Sequence, residues 1–65
     1  MQVLINGEPK EISNSLTVAE LLSELKLEGK LAIEINQNII PRSLHQETKL
    51  KAKDQIEIVN AIVGG

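Results

Sequence analysis

The chain has 65 residues, 7 of them basic and 9 acidic, with no cysteine and no Phe, Tyr or Trp. That length allows one domain, which buries only about 60% of its unfolded surface and cannot also enclose a deep cofactor pocket. Without cysteine there is no disulfide and no thiolate metal site. The slightly acidic balance and the missing aromatic stacking platforms argue against nucleic-acid binding.

The core has to be aliphatic. Ile, Leu and Val contribute 9, 9 and 4 residues, 22 of the 65. Gln2 to Asn6 alternates, with Val3 and Ile5 on one side and Gln2, Leu4 and Asn6 on the other, the period of a half-buried strand. Asn6-Gly7 is a turn signal, because such turns require positive φ. A short returning strand is expected over Lys10 to Ser13, carrying Ile12.

Over Leu16 to Leu27 the period changes. Val18, Leu21, Leu22 and Leu25 fall at i, i+3, i+4 and i+7, the apolar stripe of a helix. Thr17 and Glu20 have the spacing of a capping box, and Leu16 and Leu21 that of a hydrophobic staple. Lys26 falls near the negative helix end, and Gly29 is the expected stop.

Leu31 to Asn36 alternates again, with Leu31, Ile33 and Ile35 on one face. Asn36-Gln37-Asn38 marks a turn, and Ile39-Ile40 a brief strand that Pro41 limits by removing a backbone donor. Ser43 to Leu50 is irregular, with room for a helical turn. Lys53-Asp54 turns the chain into a last strand, Gln55 to Val59, with Ile56 and Ile58 on one face. The expected architecture is α+β, a small mixed sheet with one helix on one face and the first and last strands parallel at its centre. Residues 1–59 are expected to form the domain and 60–65 a flexible tail.

No catalytic constellation stands out. His45 is the single histidine, with Glu47 the nearby acid, and reads as an ordinary surface or loop residue, since a metal site wants three or four ligands. A Ser43–His45 pair has no third member indicated. The glycines at 7, 29, 64 and 65 build neither G-x-G-x-x-G nor a P-loop, so the chain is expected to bind no nucleotide or other cofactor itself. Lys49, Lys51 and Lys53 share a face if extended. Such a face is more often a solvated edge that discourages aggregation than a docking patch for an acidic partner. The N-terminus lacks a signal-peptide pattern and no apolar run approaches bilayer length, so a cytoplasmic setting is expected. A monomeric state is the separate expectation for the chain alone.

What remains is the end of the chain, Asn60-Ala61-Ile62-Val63-Gly64-Gly65. Six extended residues span about 20 Å, enough to enter another protein's active site. A frayed terminus is the ordinary alternative. A carboxylate must be activated before it can react as an electrophile, commonly as an acyl-adenylate. Glycine neither obstructs nor constrains its approach to ATP. Ile62 and Val63 are apolar on a segment expected in water, which suits docking to a partner.

The chain resembles the sulfur carriers of thiamine biosynthesis, the ThiS family, within the ubiquitin-like β-grasp superfamily. The resemblance covers all 65 residues. It rests on Met1-Gln2-Val3-Leu4-Ile5-Asn6-Gly7, on Thr17-Val18-Ala19-Glu20-Leu21-Leu22, and on the distinctive stretch Ala32 to Arg42 with its Asn36-Gln37-Asn38-Ile39-Ile40-Pro41-Arg42. It ends on Asp54 to Val59 running into Val63-Gly64-Gly65. The resemblance implies that an E1-like adenylyltransferase of the ThiF type, using ATP and magnesium, adenylates the carboxylate of Gly65. A persulfide sulfur from a donor such as cysteine desulfurase then replaces AMP and leaves a thiocarboxylate. Thiazole synthase of the ThiG type takes that sulfur into the thiazole ring. The chain itself is a protein co-substrate, with Gly65 carrying the sulfur and Ala61, Ile62, Val63 and Gly64 meeting the partners. Two departures stand out. Lys53 replaces the Gly that relatives often place before the acidic residue of the last turn, and neither an extra glycine nor an aromatic residue marks the tail. A carrier serving molybdopterin or another metabolite is the alternative within the same chemistry. A non-catalytic ubiquitin-like interaction module with a passive tail is the alternative outside it.

Overall fold

The computed structural model describes residues 1–60. Strands β1 (Gln2–Ile5) and β2 (Glu8–Glu11) form a hairpin, followed by helix α1 (Val18–Glu24). A second hairpin, β3 (Leu31–Ile35) and β4 (Asn38–Ile40), leads through a 3-10 turn at Arg42–Leu44 to the last strand, β5 (Gln55–Asn60). The sheet order is β2-β1-β5-β3-β4. As expected, β5 lies at the centre, parallel to β1 and antiparallel to β3.

Alternation decides which side chains turn inward. Val3, Ile33, Ile35, Ile56 and Ile58 project from the sheet onto Val18 and Leu21 of α1, and Ile12, Leu16 and Leu50 close the rim. Among the described residues every buried apolar side chain is Ile, Leu or Val, so the close packing there rests on branched aliphatic shapes.

Both hairpins use two-residue loops with positive φ at each loop residue. Asn6 and Gly7 stand at +50° and +83°, and Asn36 and Gln37 at +50° and +73°. This is the type I′ geometry, whose twist matches that of the flanking strands. The first hairpin differs from expectation in register. Glu8 pairs with Ile5, so β2 begins directly after Gly7 and ends at Glu11, and Ile12 enters the core just beyond it. The two-residue loop sets this pairing, and it brings Pro9 into the strand opposite Leu4. Because β2 is an edge strand, the missing proline donor is tolerated there.

The N-terminus of α1 satisfies its orphan amides one by one. Val18 donates to the Thr48 carbonyl at 2.9 Å and Ala19 to that of His45 at 3.0 Å. Glu20 N–H donates to Thr17 Oγ1 at 3.1 Å, and Thr17 N–H to Glu20 Oε1 at 2.8 Å, the capping box the sequence spacing implies. The irregular 45–50 segment is thus held by the helix, aided by a Leu50 N–H bond to the Leu16 carbonyl at 2.8 Å. The helix stops earlier than Gly29. Lys26 takes φ +58°, while Lys26 N–H donates to Ser23 and Leu27 N–H to Leu22, a Schellman closure without glycine. Gly29, at φ +94°, serves the connection to β3 instead.

Candidate functional site

The expected working residues, Ala61, Ile62, Val63, Gly64 and Gly65, lie outside the described residues. The structure does define the strand they continue from. β5 runs one residue past the expected Val59, with Asn60 opposite Leu31 and Val59 opposite Ala32.

Both hairpin loops grip this strand. Asn6 N–H donates to the Ile56 carbonyl at 2.8 Å. Its side chain then repeats the pattern one step on, with Nδ2 donating to the Ile58 carbonyl at 3.1 Å and Oδ1 accepting from Ile58 N–H at 2.8 Å. The carboxamide therefore acts as one more ladder unit after β1 has turned away. Asn36 does the corresponding work from the other side. Its Oδ1 accepts from Gln55 N–H at 3.0 Å, and its backbone N–H donates to the Gln55 carbonyl at 2.8 Å.

Asp54, buried at the start of β5, completes the clamp. Its Oδ1 accepts from Asn36 Nδ2 at 3.0 Å and its Oδ2 from Lys51 N–H at 2.8 Å. A buried carboxyl needs such partners. These three polar residues position the strand that leads to the tail. In the sequence Asn6, Asn36 and Asp54 read only as turn residues, and the side-chain bonds of the two asparagines to β5 and of Asp54 to Asn36 and Lys51 are not announced there. The available signal was an Asn at the first position of each two-residue loop, since Asn both tolerates left-handed φ and carries an amide.

Lys53 adopts φ +71° in the turn before Asp54. The position thus demands the conformation glycine favours, which gives the departure at Lys53 a physical meaning. Lys49, Lys51 and Lys53 do not form an extended stripe. Lys49 bridges to Thr17, and residues 52 and 53 form a turn.

His45, expected as an ordinary surface or loop residue, is a loop residue but a buried one. It is 8% exposed, with Nε2 3.1 Å from the Ile40 carbonyl. It is a structural loop residue that ties the 3-10 turn to β4, and exposed Ser43 beside it gains no triad. Among the described residues no three His, Cys, Asp or Glu side chains converge as metal ligands. An open groove of about 800 Å³ separates the C-terminal half of α1 from the 3-10 turn, lined by Leu22, Lys26, Leu27, Arg42 and His45 among others. No described helix is long and apolar enough to cross a membrane.

A five-stranded mixed sheet wrapped on one helix, with its central strand leading to the chain's end, defines a ubiquitin-like β-grasp protein. The model of the ThiS family matches residues 3–65, and the chain belongs to that family. It is 35% identical to the sulfur carrier protein ThiS of Escherichia coli, each aligned over its full length. It is 41% identical to a thiazole synthase of Paramagnetospirillum magneticum, of which the whole chain spans only 20%. The crystal structure of the thiamine biosynthesis protein ThiS from Geobacter metallireducens superposes over the full length of both chains, with a TM-score of 0.89 at 32% identity.

Proposed function

We propose that this protein is a sulfur carrier of thiamine biosynthesis, working through the carboxylate of Gly65. The reading is carried by family membership that extends through residue 65. It is supported by full-length similarity to a protein named as a sulfur carrier. The clamped β5, which gives the tail a fixed origin, suits the same role.

The chemistry runs on partner enzymes. An E1-like adenylyltransferase joins the Gly65 carboxylate to the α-phosphate of ATP, releasing pyrophosphate, with magnesium held by that enzyme. The terminal sulfur of a partner's persulfide, charged by a cysteine desulfurase, attacks the acyl carbon and expels AMP. A partner thiol then cleaves the resulting sulfur–sulfur bond, leaving the thiocarboxylate on this chain and a disulfide on the partner. This chain contains no cysteine, so every thiol in the sequence of steps belongs to a partner. Gly64 gives the narrow approach, and Ala61, Ile62 and Val63 line the partner's channel. Thiazole synthase is the acceptor, supported by the thiazole synthase relative that contains a stretch similar to this whole chain. ATP and reduced thiols fit a cytoplasmic setting.

Intact-protein mass spectrometry tests the reading. After incubation with ATP, magnesium, the adenylyltransferase and a sulfur donor, the mass should rise by the difference between one sulfur and one oxygen, located on Gly65. A chain lacking Gly64 and Gly65 should keep its fold and show no gain. Unchanged mass of the full chain with a demonstrably active enzyme, or a normal gain by the truncated one, refutes it.

A further inference from the structure

Of the five asparagines in the chain, Asn6 alone is followed by glycine. Such a step is chemically labile. The backbone nitrogen of the following residue can attack the asparagine carboxamide, and glycine leaves that nitrogen unhindered because it has no side chain. The loop is also open to water, with no atom beyond its chain neighbours within 4 Å of where a Gly7 Cβ would stand. Sequence and exposure thus set up a hydrolysis, and the fold opposes it twice over.

The backbone is the first obstacle. Asn6 has φ +50°, in the left-handed region, where ψ lies at about +30° to +60°. Ring closure needs Cβ and the Gly7 nitrogen eclipsed about the Cα–C bond, and this ψ sets them nearly opposite. The side chain is the second. Nδ2 donates to the Ile58 carbonyl at 3.1 Å and Oδ1 accepts from Ile58 N–H at 2.8 Å, so both ends of the carboxamide are tied to β5. Cγ therefore meets the Gly7 nitrogen only after the turn has unwound and the side chain has left the strand. Asn36 is the internal comparison. It has the same φ, and its carboxamide is likewise tied at both ends, to Asp54 and Gln55. Gln37 follows it, however, and a side chain there crowds the attacking nitrogen.

We infer that Asn6 is a deamidation site that the fold keeps closed, opened only when β5 leaves the first hairpin, and that its product cannot rebuild the clamp. In the open chain the Gly7 nitrogen bonds to Cγ of Asn6 and the Cγ–Nδ2 bond breaks. Nδ2 leaves as ammonia, carrying the former Gly7 amide proton. Water then opens the succinimide. Cleavage at Cγ gives aspartate at position 6, and cleavage at the main-chain carbonyl gives isoaspartate. Either product ends in a carboxylate, which only accepts hydrogen bonds. Aspartate keeps the bond from Ile58 N–H but sets an anionic oxygen against the Ile58 carbonyl where Nδ2 had donated. Isoaspartate adds a methylene to the main chain of a loop whose register depends on its two-residue length. The modification is thus retained, and β5 is held less firmly in every chain that has reacted. The inference does not depend on the carrier reading, although the strand it loosens is the one that leads to residues 61–65.

The test follows ammonia loss from the full chain by peptide mass mapping, which reads the exchange of NH for O at each asparagine and separates aspartate from isoaspartate by elution. The native chain in mildly alkaline buffer is compared with the chain in guanidinium chloride above its unfolding midpoint, at the same pH. In the unfolded chain Asn6 should react faster than Asn36. Two hydrogen bonds of ordinary net strength lower the open population roughly thirtyfold, so the native rate at Asn6 should be at least about tenfold below the unfolded one. Ile58→Val keeps both backbone bonds to Asn6 and weakens the core packing of β5, and should raise the native rate roughly twofold to tenfold as opening becomes more frequent. Asn6→Asp tolerates the left-handed φ and should melt below wild type. Protection of less than tenfold, or an Ile58→Val rate equal to that of wild type, overturns the closure by β5. Reaction at Asn36 as fast as at Asn6 in the unfolded chain overturns the site itself. An Asn6→Asp chain melting at or above wild type overturns the loss of the clamp.

Discussion

Replacing Asn6 tests whether its side chain truly extends the parallel ladder onto β5. Asn6→Ala removes the bonds to Ile58 N–H at 2.8 Å and to the Ile58 carbonyl at 3.1 Å. Water takes up part of the loss, so a net of roughly 0.5–1.5 kcal/mol per bond applies, or about 1–3 kcal/mol for the pair. Alanine must also hold φ +50°, which adds about 1–2 kcal/mol for a side chain in the left-handed region. The expected loss is therefore about 2–5 kcal/mol. Asn6→Gly loses the same bonds without the left-handed penalty and should cost about 1–3 kcal/mol. A domain of this size has on the order of 3–10 kcal/mol in total, so the alanine variant should sit near the unfolding threshold. The chain has no Trp, Tyr or Phe, which leaves far-UV circular dichroism rather than intrinsic fluorescence as the probe. Urea titrations should show a lower midpoint at unchanged slope. Melting should shift by about 4–8 °C for each kcal/mol. Both variants falling within about 0.5 kcal/mol of wild type would remove Asn6 as a clamp of β5. Equal losses in the two would show that the left-handed term is misassigned.

Lys26→Gly and Lys53→Gly should each stabilise the protein by about 0.5–1 kcal/mol, the left-handed penalty relieved less the entropy that glycine adds to the unfolded chain. Thermal melts of the single variants and the pair check this, and a destabilised Lys53→Gly would show that the lysine side chain matters more than its backbone. The capping box makes stability pH-dependent. Hydrogen bonds from the Thr17 backbone and then its side chain hold the Glu20 carboxyl below the ordinary glutamate value of 4.5. A depressed folded pKa means that the contribution is present above that value and is lost as pH falls through the lower, folded one. Glu20→Gln should therefore flatten the acid limb of the stability profile below about pH 4.5, measured by melting temperature across pH. An acid limb identical to wild type would exclude Glu20 as a contributor.

The sequence by itself determined the parts governed by neighbours along the chain. The helix followed from Val18, Leu21, Leu22 and Leu25 at helical spacing, and its start from Thr17 and Glu20, because a capping box is closed within one turn. Alternation placed Ile33, Ile35, Ile56 and Ile58 on one face, and all are buried, because a pleated strand has a period of two. The Asn-containing turns were legible for the same local reason. The resemblance read from the sequence also named the family, since its motifs are strings of adjacent residues.

Tertiary structure decided what depends on partners far along the chain. Asn6 and Ile58 are 52 positions apart, and nothing in either neighbourhood announces their bonds. His45 reads as an ordinary surface or loop residue, yet in its loop it is buried, with Nε2 against the Ile40 carbonyl of β4. The helix ends at Glu24, and Lys26 rather than Gly29 takes the left-handed position that closes it, because the Lys26 and Leu27 amides bond back to the Ser23 and Leu22 carbonyls. Glu34 and Glu57 show the difference most plainly. They are unremarkable alternating residues of two separate strands. Only the antiparallel register of β3 on β5 sets them side by side, since cross-strand proximity is a property of pairing and not of the strands alone.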